Sequence, residues 1–211
     1  MFTTRTLIEA RGPVAILLLI AAAGAFWTWA AAAIPILLLV FVLAFFRDPP
    51  RRIPDDPDAI VSPADGTIVE IARVPENLYL GAEAIRVSII LSIFDVHVQR
   101  APIRGTIELV RREPGSYLDA RDPGSGSKNE SRTIGVASGD GFRVLLRQIA
   151  GKIARRIVGW EETGAVLARG QRIGMIRFGS RVELYLPAGT EVAATLGEHV
   201  KGGETIIARR A

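Results

Sequence analysis

The sequence predicts a mainly β domain, a β-sandwich or barrel-sandwich, standing behind an N-terminal helical membrane anchor. Three observations predict it. No charged side chain occurs between Pro13 and Phe46 in this chain of 211 residues. From Ala59 onward, short apolar runs rich in Val and Ile are separated by Gly- and Pro-bearing turns, the punctuation of strands rather than of long helices. Helix signals are scarce in that second part.

The uncharged run is too long for a signal peptide, whose apolar region is short and ends at a small-residue cleavage site. One helix needs about 20 residues to cross about 30 Å of hydrocarbon, so a single straight span would overshoot. Gly24, Trp27, Thr28 and Trp29 occupy the middle of the run and Pro35 follows. Tryptophan favours the membrane–water interface, so the run is expected to turn there and form a helical hairpin over residues 1–47. Its two arms are short, which leaves a shallow hairpin or one long tilted helix as alternatives. Arg5 and Arg11 precede the run, and Arg47, Arg51 and Arg52 follow it. Both ends are therefore expected on the cytoplasmic side.

Residues 48–211 are expected to form the β-rich domain. The exit Arg47-Asp48-Pro49-Pro50-Arg51-Arg52-Ile53-Pro54 cannot be helical throughout and reads as a short stiff linker. Strands are expected at 60–61, 67–73, 84–93, 105–112, 133–137, 142–149, 153–160, 174–178, 181–186, 191–194 and 204–208. Ser62-Pro63-Ala64-Asp65-Gly66-Thr67-Ile68 and Ala101-Pro102-Ile103-Arg104-Gly105-Thr106-Ile107 echo each other as Pro-x-x-Gly-Thr-Ile, a turn feeding a strand. The segment from Val192 to Ala208, strand–Gly turn–strand, resembles the ending of lipoyl- and biotinyl-type barrels, without a hairpin presenting a modified lysine. Gly115 to Ser127 is dominated by Gly, Ser, Asp and Pro and reads as a long loop of the kind that covers or binds.

Composition excludes several chemistries. There is no Cys, which removes disulfides, thiolate metal sites and cysteine nucleophiles, and only two His, which removes a His-rich metal site. The net charge of +4, carried mostly by Arg, points to an anionic partner. Nucleic acid is not expected, because no binding module is recognisable and aromatics do not interleave with a basic patch. An anionic membrane surface fits better.

Gly179-Ser180 sits between two strand-like runs. Its ordinary reading is a β-turn. A Gly carbonyl is also open to attack by the neighbouring hydroxyl, which in a strained turn converts the amide to an ester. Such an attack needs a base and a carboxylate. His97, in Phe94-Asp95-Val96-His97 after a hydrophobic run, and Asp65, in Pro-Ala-Asp-Gly, are the candidates, although a strand-end His and a turn Asp are usually structural. His199 lies in a Gly-rich turn and reads as exposed.

The Gly-Ser segment, the Pro-Ala-Asp-Gly turn and the Asp-x-His strand occur together with Phe45-Phe46-Arg47-Asp48-Pro49 and Arg147-Gln148-Ile149-Ala150-Gly151-Lys152-Ile153-Ala154-Arg155-Arg156-Ile157. In that combination the chain, from about residue 45 onward, resembles the short bacterial form of phosphatidylserine decarboxylase. The resemblance implies a proenzyme that cleaves itself between Gly179 and Ser180 into a β chain (1–179) and an α chain (180–211). Ser180 would become a covalent pyruvoyl group, the only cofactor, with no metal. Asp65, His97 and Ser180 match the family's self-processing triad, His97 as base and Asp65 holding its imidazole. Through a Schiff base to the pyruvoyl carbonyl, phosphatidylserine would lose CO2 to give phosphatidylethanolamine.

The implied partners are a phospholipid substrate and the membrane, here the bacterial inner membrane with the catalytic domain on its cytoplasmic side. Arg100 and Arg47 are candidates for the substrate phosphate. The sequence allows a homo-oligomer without specifying one. Two rival readings keep the fold: a membrane-tethered scaffold, which would stay uncut, and a pyruvoyl decarboxylase of a soluble amino acid, for which an anchor has no purpose.

Overall fold

The computed structural model describes residues 2–122, 124–152, 156–177 and 180–210, and the chain divides into two compact units, Met1–Pro50 and Arg51–Ala211. The first unit is two helices, α1 (Thr4–Trp27) and α2 (Trp29–Phe45), packed against each other. Thr3 and Thr6 open α1 with a reciprocal cap: the Thr3 amide donates to Thr6 Oγ1 at 3.0 Å and the Thr6 amide to Thr3 Oγ1 at 3.4 Å. The break falls at Thr28, in extended conformation (φ −154°). Its amide closes α1 on the Gly24 carbonyl at 3.0 Å, and its hydroxyl opens α2 by accepting the Ala31 amide at 3.2 Å. Gly24 permits the close approach, since a Cβ there would lie 3.0 Å from the Ala31 backbone. The arms are unequal because the Thr3 cap starts α1 upstream of the uncharged run. Thr4–Ala25 is long and apolar enough to cross a membrane, while the apolar stretch Ala31–Phe45 is shorter.

The second unit is mainly β. In chain order it holds β1 (Ala59–Val61), β2 (Gly66–Glu76), β3 (Ala82–Leu91), β4 (Val98–Arg100) and β5 (Gly105–Glu113). A helical turn, α3 (Ser125–Lys128), precedes β6 (Ser131–Ala137), β7 (Arg143–Ile149), β8 (Ile157–Gly159), β9 (Val166–Leu167) and β10 (Arg172–Ile176). The chain ends with β11 (Ser180–Pro187), β12 (Glu191–Val192), β13 (His199–Val200) and β14 (Ile206–Arg209). Eight strands form one sheet in the order β13-β2-β3-β11-β7-β6-β5-β9, and two three-stranded sheets, β1-β14-β12 and β4-β10-β8, accompany it. Every strand pair within these sheets is antiparallel.

The core draws on all three sheets: Ile60, Ile68, Ile89, Ile134, Leu146, Ile173, Ile176, Leu184 and Ile207 are buried in one cluster. In β11 the alternation is clean, with Val182 and Leu184 in that core and Arg181 and Glu183 on the other face. Bulges between Ile68 and Glu70 and between Ile107 and Leu109 bend β2 and β5.

The two echoing segments are reciprocal in space. The Val61 amide donates to Pro102 O at 3.0 Å, and the Arg100 amide donates to Pro63 O at 2.8 Å. Each glycine starts a strand against a neighbouring backbone. A Cβ would lie 2.3 Å from Ile90 O at Gly66, whose φ is +145°, and 2.3 Å from Ala137 O at Gly105. Arg169 fixes the Pro-rich linker by donating to the carbonyls of Pro54, Asp56 and Ala59.

Three short strands, β4, β9 and β13, escape the sequence pattern because two or three residues show no alternation. In the tail from Val192 to Ala208, β12 pairs with β14, whereas β13 between them pairs with β2 in the large sheet.

Candidate active site

Ser180 is the first residue of β11, where it pairs with Leu91 at the end of β3. It is fully buried, and its hydroxyl has no hydrogen-bond partner among the described residues. A buried hydroxyl left unbonded costs free energy, which a structure sustains where the group has work to do. Gly179 lies outside the described residues.

His97 sits on the segment that leaves β3. That segment is tied at both ends to the strands flanking the Gly179–Ser180 bond: Leu91 pairs with Ser180, and Val98 pairs with Met175 in β10. The Ile176 amide also donates to His97 O at 3.3 Å. The topology thereby brings His97 and Ser180 to one end of the domain. The ring is buried, with Nδ1 2.9 Å from Asp95 O. A carbonyl only accepts, so Nδ1 is the donor, the arrangement in which the neutral tautomer has its lone pair on Nε2.

The backbone of His97 is held by a buried polar chain. Gln99 Nε2 donates to His97 O at 2.8 Å, Gln148 Nε2 to Gln99 Oε1 at 2.9 Å, and Arg132 Nη1 to Gln148 Oε1 at 3.2 Å. Burial, which disfavours the charged form, pulls Arg132 below the usual arginine value. Gln148 stood in the Arg147–Ile157 motif without a role, and Gln99 and Arg132 were given none, because polar residues in strand-like runs carry no signal of where they point.

Asp65 is buried in the turn before β2, close in the fold to β4 through the Arg100–Pro63 bond. Its carboxylate accepts two bonds from Arg51 Nη2, at 3.0 and 2.8 Å, and one from the Gly202 amide at 2.7 Å. The hydrogen bond to His97 that its expected role calls for is not formed, since Asp65 is taken by the permanent charge of Arg51 and the imidazole by Asp95 O. Arg100 is buried and donates to Gly170 O at 3.1 Å. Arg47 Nη1 donates to Ala44 O at 2.8 Å at the end of α2. Arg155, part of the basic motif, lies outside the described residues.

Two further residues join the site. Arg51, expected either to attract anionic lipid or to set topology, is the partner of Asp65 and lies 3.8 Å from Glu204. Asp95 anchors the turn before His97: its Oδ2 accepts the Ser92 amide at 2.7 Å, and its own amide donates to Ser92 O at 3.0 Å. The spacing Ser92-x-x-Asp95, a self-capping turn, was the signal available for it. Arg181, beside the serine, turns to the opposite face of the sheet, where it meets Glu70 at 2.9 Å, Ser88 at 2.9 Å and Glu183 at 2.8 Å.

A buried serine at a strand start, and a buried histidine on a segment whose ends pair with the strands on either side of it, define a mainly β domain with internal rather than exposed polar groups. Comparison with known proteins narrows that class. The profile of the phosphatidylserine decarboxylase family matches residues 38–208. The chain is 48% identical over 174 residues to the phosphatidylserine decarboxylase proenzyme of Carboxydothermus hydrogenoformans, covering 82% of this chain and 81% of the relative. It is 42% identical over 172 residues to the proenzyme so named from Desulfotalea psychrophila, covering 82% and 80%. With that of Burkholderia pseudomallei it shares 43% over 193 residues, 92% of this chain and 88% of the relative. The chain belongs to the phosphatidylserine decarboxylase family.

Proposed function

We propose that this chain is a proenzyme that cuts itself between Gly179 and Ser180, and that the resulting enzyme decarboxylates phosphatidylserine to phosphatidylethanolamine at a membrane surface. The observation that carries this reading is the buried, unbonded Ser180 hydroxyl at the start of β11, in a family whose relatives bear the name proenzyme.

His97 Nε2 takes the proton of Ser180 Oγ as the oxygen attacks the Gly179 carbonyl carbon. The C–N bond breaks, the nitrogen leaves as the Ser180 amine and an ester joins the two residues. Removal of the Ser180 α-proton then expels the Gly179 carboxylate from Cβ. Water replaces the nitrogen of the remaining unsaturated residue, ammonia departs, and residue 180 ends as a pyruvoyl group. The site fits that group: the orphaned Oγ marks the reacting position, and β11 is held between β3 and β7, so residue 180 keeps its place after scission. The pyruvoyl carbonyl supplies an electron sink for loss of CO2 from a bound serine amine. His97 is the nearby group able to move a proton at that stage.

Asp65 contributes by holding Arg51 and Gly202 at the base of the site, with its effect on His97 exerted through the turn rather than by direct contact. Of the two phosphate candidates, Arg47 stands at the exit of α2, while Arg100 is buried with Nη1 donating to Gly170 O. The helical unit anchors the enzyme in the inner membrane with the β domain on the cytoplasmic side, the place for a substrate with two acyl chains.

The test is an assay of the purified full chain on phosphatidylserine-containing vesicles. Wild type should form phosphatidylethanolamine and Ser180→Ala should not. Formation by Ser180→Ala at the wild-type rate would overturn the proposal, and release of CO2 from free serine but not from the lipid would move it to a soluble substrate.

A further inference from the structure

Asp95 is the meeting point of both histidines in the chain. Its carbonyl oxygen lies 2.9 Å from His97 Nδ1, and its carboxylate Oδ1 lies 2.9 Å from His199 Nε2. The other carboxylate oxygen accepts the Ser92 amide at 2.7 Å, and the Asp95 amide donates to Ser92 O at 3.0 Å. All four polar positions of this one residue are thus engaged, and its peptide plane is fixed. The Asp95 side chain is 12% exposed and that of His199 54% exposed. His199 is itself placed by β13, where it pairs with Thr67 and Val200 pairs with Gly66.

We propose that His199 and Asp95 form a positioning pair for His97: His199 holds the Asp95 carboxylate, which fixes the Asp95 carbonyl, which fixes the tautomer and direction of the His97 ring. Nothing in the sequence pattern announced this, because His199 reads as an exposed turn residue. The pair rests on the self-processing reading above and extends it in one respect. His199 lies in residues 180–211 and Asp95 in residues 1–179, so the contact joins the two products of scission. It keeps the base registered to residue 180 after the covalent link between them is gone. His199 acts through Asp95 and touches no reacting atom, so it is a positioning residue.

The test uses the full chain carrying His199→Leu or His199→Gln, with His97→Ala as reference, expressed and followed for cleavage at position 180 by denaturing mass spectrometry. Leu is of similar bulk and cannot donate. Gln keeps an N–H for the Asp95 carboxylate without the ring. Hydrogen bonds to a charged group are each worth roughly a tenfold to hundredfold effect when lost. His199→Leu should slow cleavage by about tenfold, with the melting temperature recorded alongside, and Gln should restore most of the rate. Both variants cleaving at the wild-type rate, or both slowed alike, would overturn the positioning role. Should His199→Leu fail to fold, His199→Ala is compared with Thr67→Ala, which trims the strand partner of His199 without touching the Asp95 bond: His199→Ala slower than Thr67→Ala supports the proposal, and equal rates overturn it. Failure of the wild type itself to cleave at 180 would instead remove the self-processing reading, a distinct result.

Discussion

At the scale of single residues, the Asp65–Arg51 pair is the strongest electrostatic commitment near the site. Both side chains are almost wholly buried, and the carboxylate is filled by Arg51 and the Gly202 amide. Removing one partner leaves a buried charge uncompensated, so Arg51→Ala is expected to lower stability by about 3–5 kcal/mol in urea unfolding, where an effect below 1 would mean that water already solvates Asp65. Glycine gives a second contrast. Gly105→Ala puts a Cβ against Ala137 O, while Gly139→Ala meets nothing within 4 Å. The first is expected to cost about 1–3 kcal/mol and the second close to nothing, and equal costs would show that β5 and β6 separate freely. The echo of Pro-x-x-Gly-Thr-Ile was legible in the sequence because both glycines do the same steric work. The partners of Asp65 were not legible: Arg51 is fourteen positions away and Gly202 far along the chain, and no local pattern encodes a pairing set by strand crossings.

At the scale of elements, β11 organises both faces of the large sheet. Its core face carries Ser180, Val182 and Leu184, and its other face carries an ion network. Burial alone would raise Glu70, but the hydrogen bonds and charges of Arg86, Ser88 and Arg181 outweigh it and leave the carboxyl below its usual value. The folded value is thus the lower one, so Glu70 stabilises above its ordinary range and that contribution fades as pH falls through it. Wild type should therefore lose more melting temperature than Glu70→Gln as pH drops from about 6 to about 3, and parallel curves would contradict the assignment. Tyr185 runs the other way: burial, then the charge and hydrogen bond of Glu183, push its hydroxyl from 10 up to about 12. Its contribution is present at neutral pH and is lost as pH rises through that window, which Tyr185→Phe should blunt. Long strands such as β3, β5 and β7 were readable from apolar runs bounded by turn residues. β4 was not, although it carries the backbone beyond His97, because three buried residues in a row show no period.

At the scale of the whole molecule, two compact units have opposite compositions, one an apolar pair of helices and the other a β domain with a charged surface. The apolar run is the sequence feature behind the first unit, whose helices break at Thr28, one of the central residues Gly24, Trp27, Thr28 and Trp29. The full chain is expected to sediment with membranes and to stay there through a high-salt wash, since burial of apolar helices is not screened by salt. Release by salt would mean that arginine contacts alone hold it. The site residues were legible only as a set. No single one of Ser180, His97 and Asp65 distinguishes a reactive group from a turn or strand end, and no local pattern encodes the pairings of Leu91 with Ser180 and Val98 with Met175 that tie the His97 segment to β11 and β10.

The central claim is that Ser180 becomes the new terminus of its own chain. An intact-mass spectrum of the purified protein under denaturing conditions tests it most directly. Two chains are expected, one ending at residue 179 and one spanning 180–211 with a pyruvoyl group in place of its first serine. A single uncut chain of 22.8 kDa would contradict it.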